Sequence, residues 1–211
     1  MIFFHLEYTM AENLYSPVEV PESPAKKAKG NLTGIPRIVH DSSADLYNCI
    51  QEWNGNHITG VSVINEICNL KITHLNSSNA SVAFPAGLEE LCNSLEDVCS
   101  KLNTVLNKIK EVKNHYEGLM KLNEMKNINT PVFTTWRVQE FVHLILVELS
   151  SKILSMYDKE LQMKLYIKEN IAHTKYEENL LLYQTIWVQQ PYIENLDLQV
   201  EAMLKETTLR Q

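Results

Sequence analysis

The chain has 211 residues, of which 45% are hydrophobic, and a net charge of −7 at pH 7. A chain of this length and composition can bury one core. The acidic balance argues against direct binding of nucleic acid, which needs a basic face, and no apolar run is long enough to span a membrane.

Residues 1–40 are predicted to form a disordered tail. Proline, lysine and small residues dominate 21–30, and such a segment cannot build a core. Ser16 and Ser23 are candidate phosphoacceptors because a proline follows each, and Ser23 also has a lysine three places later, the pattern that proline-directed cell-cycle kinases prefer. A proline-rich linker with a chance match is the alternative. Lys26, Lys27 and Lys29 resemble a weak nuclear-import patch, which is compatible with a nuclear location, with the cytoplasm as a second location.

Residues 41–211 are predicted to form an all-α domain, an elongated antiparallel bundle or coiled coil of three long helices followed by two short ones. Six glycines and seven prolines in the whole chain are few, which favours long helices. The first helix should start at Asp41-Ser42-Ser43, where side chains can accept hydrogen bonds from the free amides of the first turn. It should end near residue 75. Gly55 and Gly60 are expected to bend it or to let another backbone come close.

A second helix is predicted from about Gly87 to Lys126, with a narrow apolar seam along it. At about 1.5 Å per residue this helix is on the order of 60 Å long. The seam has a 3.5-residue period and needs a partner helix, either in this chain or in a second copy that forms a homodimer. Its members are Leu88, Leu91, Leu95, Val98, Leu102, Val105, Ile109, Val112, Tyr116 and Leu119.

The C-terminal part is predicted to hold three further helices. The third begins near Thr134 or Thr135 and ends at about His173, and the fourth spans Glu177 to Gln189. Pro191 should end the fourth helix, because proline disfavours the helical conformation of the residue before it. A last short helix is expected at about 195–207.

No pattern in the chain indicates an active site, a cofactor site or a metal site. It has no glycine-rich phosphate loop, no His-Glu-x-x-His pair and no Cys-x-x-Cys pair. We therefore expect a protein that is not an enzyme and that carries no cofactor or metal. The four cysteines (Cys49, Cys68, Cys92 and Cys99) are expected to be small buried groups in a reducing compartment.

Two aromatic residues beside the predicted helix break are the strongest candidates for an interaction site. Trp187 and Tyr192 lie on either side of Pro191, and large rings of this kind often anchor partner interfaces. The alternative is that they fill the corner where two helices meet. We expect Trp187 to pack inward against the third helix, near Leu161 and Leu165, and Tyr192 to be at least partly exposed.

Five groups of residues give the chain a resemblance to a known family. It resembles the cyclin-dependent kinase 2-interacting protein family over about residues 40–208, and the order and spacing of the groups carry the match. They are Asp41, Ala44, Asp45, Asn48, Ile50 and Trp53; Asn69-Leu70-Lys71-Ile72; Pro131, Phe133, Thr135 and Trp136; Tyr157, Lys159-Glu160-Leu161, Lys164 and Ala172-His173-Thr174; and Trp187, Gln190-Pro191-Tyr192, Glu194, Met203-Leu204 and Glu206-Thr207.

The resemblance implies a non-enzymatic nuclear adaptor that joins cell-cycle kinases to DNA replication and DNA-damage checkpoint factors. The expected partners are a cyclin-dependent kinase with its cyclin, an origin-firing kinase and checkpoint factors. A structural subunit of an AAA-type ATPase, acting in large-ribosomal-subunit maturation and at the replisome, is the alternative. The candidate partner-binding residues are Trp136, Gln190, Pro191, Tyr192 and Glu194.

Overall fold

Four helices make up the described part of the chain. The computed structural model describes residues 34–77, 84–126, 146–194 and 200, without the side chains of 35, 36 and 123–126. The all-α prediction is confirmed for these residues, which hold α1 (Ile35–Leu75), α2 (Leu88–Lys126), α3 (Glu148–Ile171) and α4 (Glu177–Gln189). None of these helices combines the length and the apolarity needed to cross a bilayer.

Helix α1 begins at Ile35, so the predicted start at Asp41 is wrong. Gly34 precedes the helix with φ of 72°, and a proline stands in the first turn, where the amide hydrogen it lacks would have no partner within the helix. Ser43 is consequently an interior residue. Its hydroxyl donates to the Val39 carbonyl at 2.7 Å and lies 3.1 Å from the hydroxyl of Tyr116 on α2.

The apolar seam of α2 is covered by helices of the same chain. Nine of its ten members are at most 6% exposed, and Leu91 is partly exposed. Helices α1 and α3 pack along α2 and supply this cover. Of the two partners considered for the seam, the internal one is therefore observed, and a homodimer through this seam would have no free apolar strip to use.

Side-chain contacts show how the helices are directed. Ser43 contacts Tyr116 and Glu52 pairs with Lys108 at 2.7 Å, so residue numbers rise along α1 while they fall along α2. The two longest described helices are thus antiparallel.

Helix α4 also runs against α1. Asn65 accepts a hydrogen bond from Gln184 at 2.7 Å, whereas Trp53, earlier on α1, bonds Gln190 at the end of α4. The predicted bounds of α4 agree with the structure. The predicted start of the third helix and the last helix at 195–207 lie outside the described residues, apart from the buried, helical Val200.

Candidate interaction surface

The turn that follows α4 has an unusual backbone conformation. Gln190 adopts φ of 45° and ψ of 63°, the left-handed region, and its amide donates to the Ile186 carbonyl to close the helix. The expected interruption before Pro191 is therefore present. The side-chain oxygen of Gln190 accepts a 2.8 Å hydrogen bond from the indole of Trp53, and both side chains are buried. Trp53 in turn contacts Tyr157 of α3 edge to face, with ring centroids 4.8 Å apart.

Helix α3 contacts the same turn at two further points. The Tyr192 amide donates to Oε2 of the buried Glu160 at 3.2 Å. Lys152 pairs with Glu194 at 2.6 Å, although this ion pair is exposed and contributes little by itself. Residues 190–194 are therefore tied to α1 through Trp53 and to α3 through Glu160 and Lys152.

A buried lysine lies directly beneath this turn. Lys164 of α3 is fully buried, and its Nζ lies 3.2 Å from Glu160 Oε1, 3.2 Å from Nδ1 of His57 and 3.2 Å from the carbonyl oxygen of Trp187. The ammonium also lies 4.3 Å from the centre of the Trp187 ring. The last carbonyls of a helix have no partner within it, so a buried cation placed here stabilises the end of α4.

Burial controls the protonation of these groups. It lowers the pKa of Lys164 to about 8, although the carboxylate of Glu160 acts in the opposite direction. Burial and then the charge of Lys164 lower the pKa of His57 to about 2, so its ring is neutral. The side chains of Glu160 and Lys164 are 0% exposed, so a substrate cannot reach them in this conformation. The arrangement stabilises a junction of helices.

An open groove runs between α3 and α4 on the outer side of this junction. We call it the α3–α4 groove; its volume is about 910 Å³, and Asp158 and Lys159 contribute polar groups to its lining. Three of its apolar side chains are well exposed, with Tyr166 at 54%, Leu182 at 52% and Tyr192 at 41%. Its apolar lining consists of Met163, Tyr166, Leu182, Tyr183, Ile186 and Tyr192.

Three of the residues proposed from the sequence as partner-binding residues are exposed at this junction. Tyr192 lines the groove, while Pro191 and Glu194 are exposed beside it. Gln190 is different, because it is only 2% exposed and its side chain is engaged with Trp53. Its amide is thus used within the chain, and a direct contact with a partner is not supported. Ser16, Ser23 and Trp136 lie outside the described residues.

Trp187 is buried as expected, and it contacts two residues that the sequence did not indicate. Its ring lies against Gly60 of α1 and under the ammonium of Lys164 of α3. At Gly60 a side chain rather than a backbone comes close. The predicted contact with Leu161 and Leu165 stays a prediction.

The cysteines and histidines of the described residues do not form a metal site. No group of three or more His, Cys, Asp or Glu side chains in this part of the chain is placed to hold an ion. The four cysteines are free thiols. Burial raises the pKa of Cys49 and Cys99 to about 11 and that of Cys68 to about 12.

Glu160 and Lys164 were not singled out as buried residues from the sequence, although a signal was present. They are four residues apart, and both fall on the 3-4 spaced positions of α3 that are otherwise apolar. Two opposite charges at consecutive positions of this otherwise apolar stripe of α3 are a sign of a buried ion pair. From Ile153 onward these positions are Ile153, Tyr157, Glu160, Lys164, Ile167 and Ile171, all of them buried.

Several residues that carry the family resemblance meet at this junction, and comparisons with whole proteins agree with it. No protein-family model matches the chain. The chain is 31% identical to the human cyclin-dependent kinase 2-interacting protein over 197 residues, which cover 83% of this chain and 91% of the human protein. It is 31% identical to the mouse protein of the same name over 87% of this chain and 94% of that protein. The Xenopus laevis protein of that name is 27% identical, over 89% of this chain and 93% of that protein. The chain therefore belongs to the cyclin-dependent kinase 2-interacting protein family.

Proposed function

We propose that the chain is a non-catalytic adaptor that binds a cyclin-dependent kinase through the α3–α4 groove. The relatives are named for an interaction with cyclin-dependent kinase 2 and not for a reaction. The observation that carries the proposal is the groove itself, where Tyr166, Leu182 and Tyr192 present apolar surface to solvent. Aromatic side chains in such a position are frequent anchors of protein interfaces.

The composition of α4 supports an interface on its outer side. In α4, Leu180 and Trp187 are fully buried against the chain, whereas Leu181 and Leu182 are 37% and 52% exposed. Leu182 belongs to the lining of the α3–α4 groove, so the described helices leave apolar surface of α4 uncovered there.

Calorimetric titration of the purified full chain with purified cyclin-dependent kinase 2 and its cyclin tests the proposal. The wild-type chain should bind, and Leu182→Ser should weaken the affinity by about tenfold or more, as expected for a central contact. Leu122→Ser is the matched control, because Leu122 is 37% exposed and lies beyond Tyr116, on the end of α2 that packs near the start of α1. No binding by the wild type, or equal losses in both variants, would contradict the proposal.

The finer role proposed for the adaptor is to link the kinase to DNA replication and DNA-damage checkpoint factors in the nucleus. The support is the family resemblance together with the Ser-Pro pairs and the lysines of the N-terminal segment. Incubation of the chain with an active cyclin-dependent kinase should label Ser23 more than Ser16, because only Ser23 has a lysine three residues later. Fluorescent fusions of the wild-type chain and of a variant without Lys26, Lys27 and Lys29 test the nuclear location.

Exposed apolar side chains beyond the groove favour a second candidate, a structural subunit of an AAA-type ATPase assembly. Ile38, Ile58, Leu75, Phe84 and Leu122 are all more than one third exposed. Large permanent interfaces are apolar, and a subunit that depends on one is poorly stable alone. Size-exclusion chromatography with light scattering of the full chain separates the two: an adaptor should elute as a soluble monomer, and an orphan subunit should self-associate.

A further inference from the structure

Tyr192 is carried by a turn whose backbone conformation is not the intrinsically favoured one. Gln190, at the start of the turn, has φ of 45°, and residues other than glycine, asparagine and aspartate seldom adopt the left-handed region. Such a conformation persists when the surrounding structure holds it. Within the turn itself, the Ile193 amide donates to the Gln190 carbonyl at 2.9 Å.

The principal anchors of the turn come from two other helices. Trp53 of α1 donates from its indole nitrogen to the Gln190 side chain at 2.8 Å. Glu160 of α3 accepts from the backbone amide of Tyr192 at 3.2 Å. Trp53, Glu160 and Gln190 are each at most 2% exposed. The bond between Trp53 and Gln190 is therefore shielded from water, and breaking it leaves a buried polar group without its partner. The bond between Tyr192 and Glu160 is partly buried.

We propose that Trp53 and Gln190 are positioning residues for the α3–α4 groove: the hydrogen bond between their side chains holds the turn of residues 190–194 so that Tyr192 stays at the groove. Neither side chain is accessible to a partner, so each acts only through the turn. The functional meaning of this inference rests on the proposed function of the groove. A partner that meets a turn already in place does not have to order it, which favours tighter binding.

The two buried tryptophans offer a matched pair of variants. Trp53→Phe removes an indole N–H that is hydrogen-bonded to Gln190. Trp187→Phe removes a comparable part of a fully buried ring, but its Nε1 has no hydrogen-bond partner in the described structure. Gln190→Asn is an independent second test, because asparagine tolerates the left-handed conformation and its amide is one methylene shorter, too short to keep the bond to Trp53.

Hydrogen–deuterium exchange of the full-length variants, combined with titration of the kinase–cyclin complex, tests the proposed positioning role. The Tyr192 amide donates to Glu160 and the Ile193 amide to the Gln190 carbonyl. Exchange at these two amides should be about two- to tenfold faster in Trp53→Phe and Gln190→Asn than in the wild type, the range that one net hydrogen bond supports. Trp187→Phe should leave these amides unchanged relative to the rest of α4. Kinase affinity should fall several-fold in Trp53→Phe and Gln190→Asn, and it should fall further in Tyr192→Ala.

The exchange rates and the kinase affinities distinguish failure of the positioning role from failure of the proposed function. Equal exchange of the Tyr192 and Ile193 amides in Trp53→Phe and Trp187→Phe, with no change in Gln190→Asn, would overturn the positioning role, whether or not the kinase binds. The positioning role would also be overturned if exchange becomes faster in these variants while their kinase affinity is unaltered, provided that Tyr192→Ala does weaken kinase binding. If the wild-type chain does not bind the kinase, the proposed function fails, and the exchange rates alone decide whether the two residues position the turn.

Discussion

The indole of Trp187 lies directly on the backbone of Gly60. A Cβ atom at Gly60 would be 2.6 Å from Cζ2 of that ring and 2.9 Å from its Nε1. Gly60 therefore makes room on α1 for the last turn of α4, and the left-handed turn with Tyr192 follows immediately after it. This contact couples the middle of the longest described helix to the candidate interaction surface.

Gly60→Ala should destabilise the protein, because either the buried ring or the helix must shift. Overpacking of this kind costs about 1–3 kcal/mol, and the better helix propensity of alanine recovers roughly 0.5–1 kcal/mol of that. Thermal melts and urea titrations measure the difference. Gly55→Ala is the matched control: a Cβ there would meet nothing within 4 Å, so this variant should be slightly more stable than the wild type. A stabilised Gly60→Ala would show that the ring does not occupy this position.

Trp187 and Tyr192 should separate stability from binding. Trp187 is 0% exposed, so Trp187→Ala should cost about 3–5 kcal/mol of unfolding free energy. Tyr192 is 41% exposed, so Tyr192→Ala should cost little stability while it weakens kinase binding. Thermal melts alongside titrations test this split. A Tyr192→Ala protein as unstable as Trp187→Ala would mean that the ring of Tyr192 belongs to the core.

His57 should make the protein sensitive to acid. Burial lowers the pKa of its ring in the folded chain to about 2, from an ordinary value of 6.5. Below pH 6.5 the imidazole of His57 takes up a proton in the unfolded chain but not in the folded chain. The contribution of His57 to the free energy of unfolding is therefore complete above pH 6.5 and decreases as the pH falls below it. The slope from one such group is at most about 1.4 kcal/mol per pH unit. In urea titrations between pH 7.5 and 5, the free energy of unfolding of His57→Gln should depend less on pH than that of the wild type. An identical dependence on pH in the two proteins would contradict a neutral buried ring.

Leu102 should be a sensitive position on the seam of α2. It is 0% exposed, and Leu102→Glu places an unpaired carboxylate between helices, which we expect to cost about 3–5 kcal/mol. Circular dichroism melts of this variant and of Asn103→Glu, which changes an exposed neighbour, give the comparison. Equal melting temperatures would show that the seam is not a buried surface.

Hydrophobic periodicity was sufficient to predict the helices but not all of their ends. The seam of α2 has a regular 3.5-residue period, and the bounds of α2 and α4 were predicted within one residue. The predicted start of α1 was wrong because Ser42 and Ser43 resemble capping residues. A serine hydroxyl can also bond the carbonyl one turn back, as Ser43 does to Val39, and local sequence does not distinguish the two.

The site was only partly predictable because it depends on contacts between distant residues. The exposed position of Tyr192 followed from the proline that ends α4. The bond from Trp53 to Gln190 joins residues 137 positions apart, and no local pattern contains it. The α3–α4 groove likewise depends on how far apart two helices pack, which side-chain periodicity does not specify.

Hydroxyl-radical footprinting of the full chain, with and without the kinase–cyclin complex, tests the central claim most directly, because it reports the exposure of individual side chains. The claim predicts that the complex protects Tyr166, Leu182 and Tyr192 in the groove and leaves Phe84 and Leu122, which are exposed elsewhere, as reactive as before. Protection of Phe84 or Leu122 without protection of the groove residues, or no protection at any of these side chains, would contradict it.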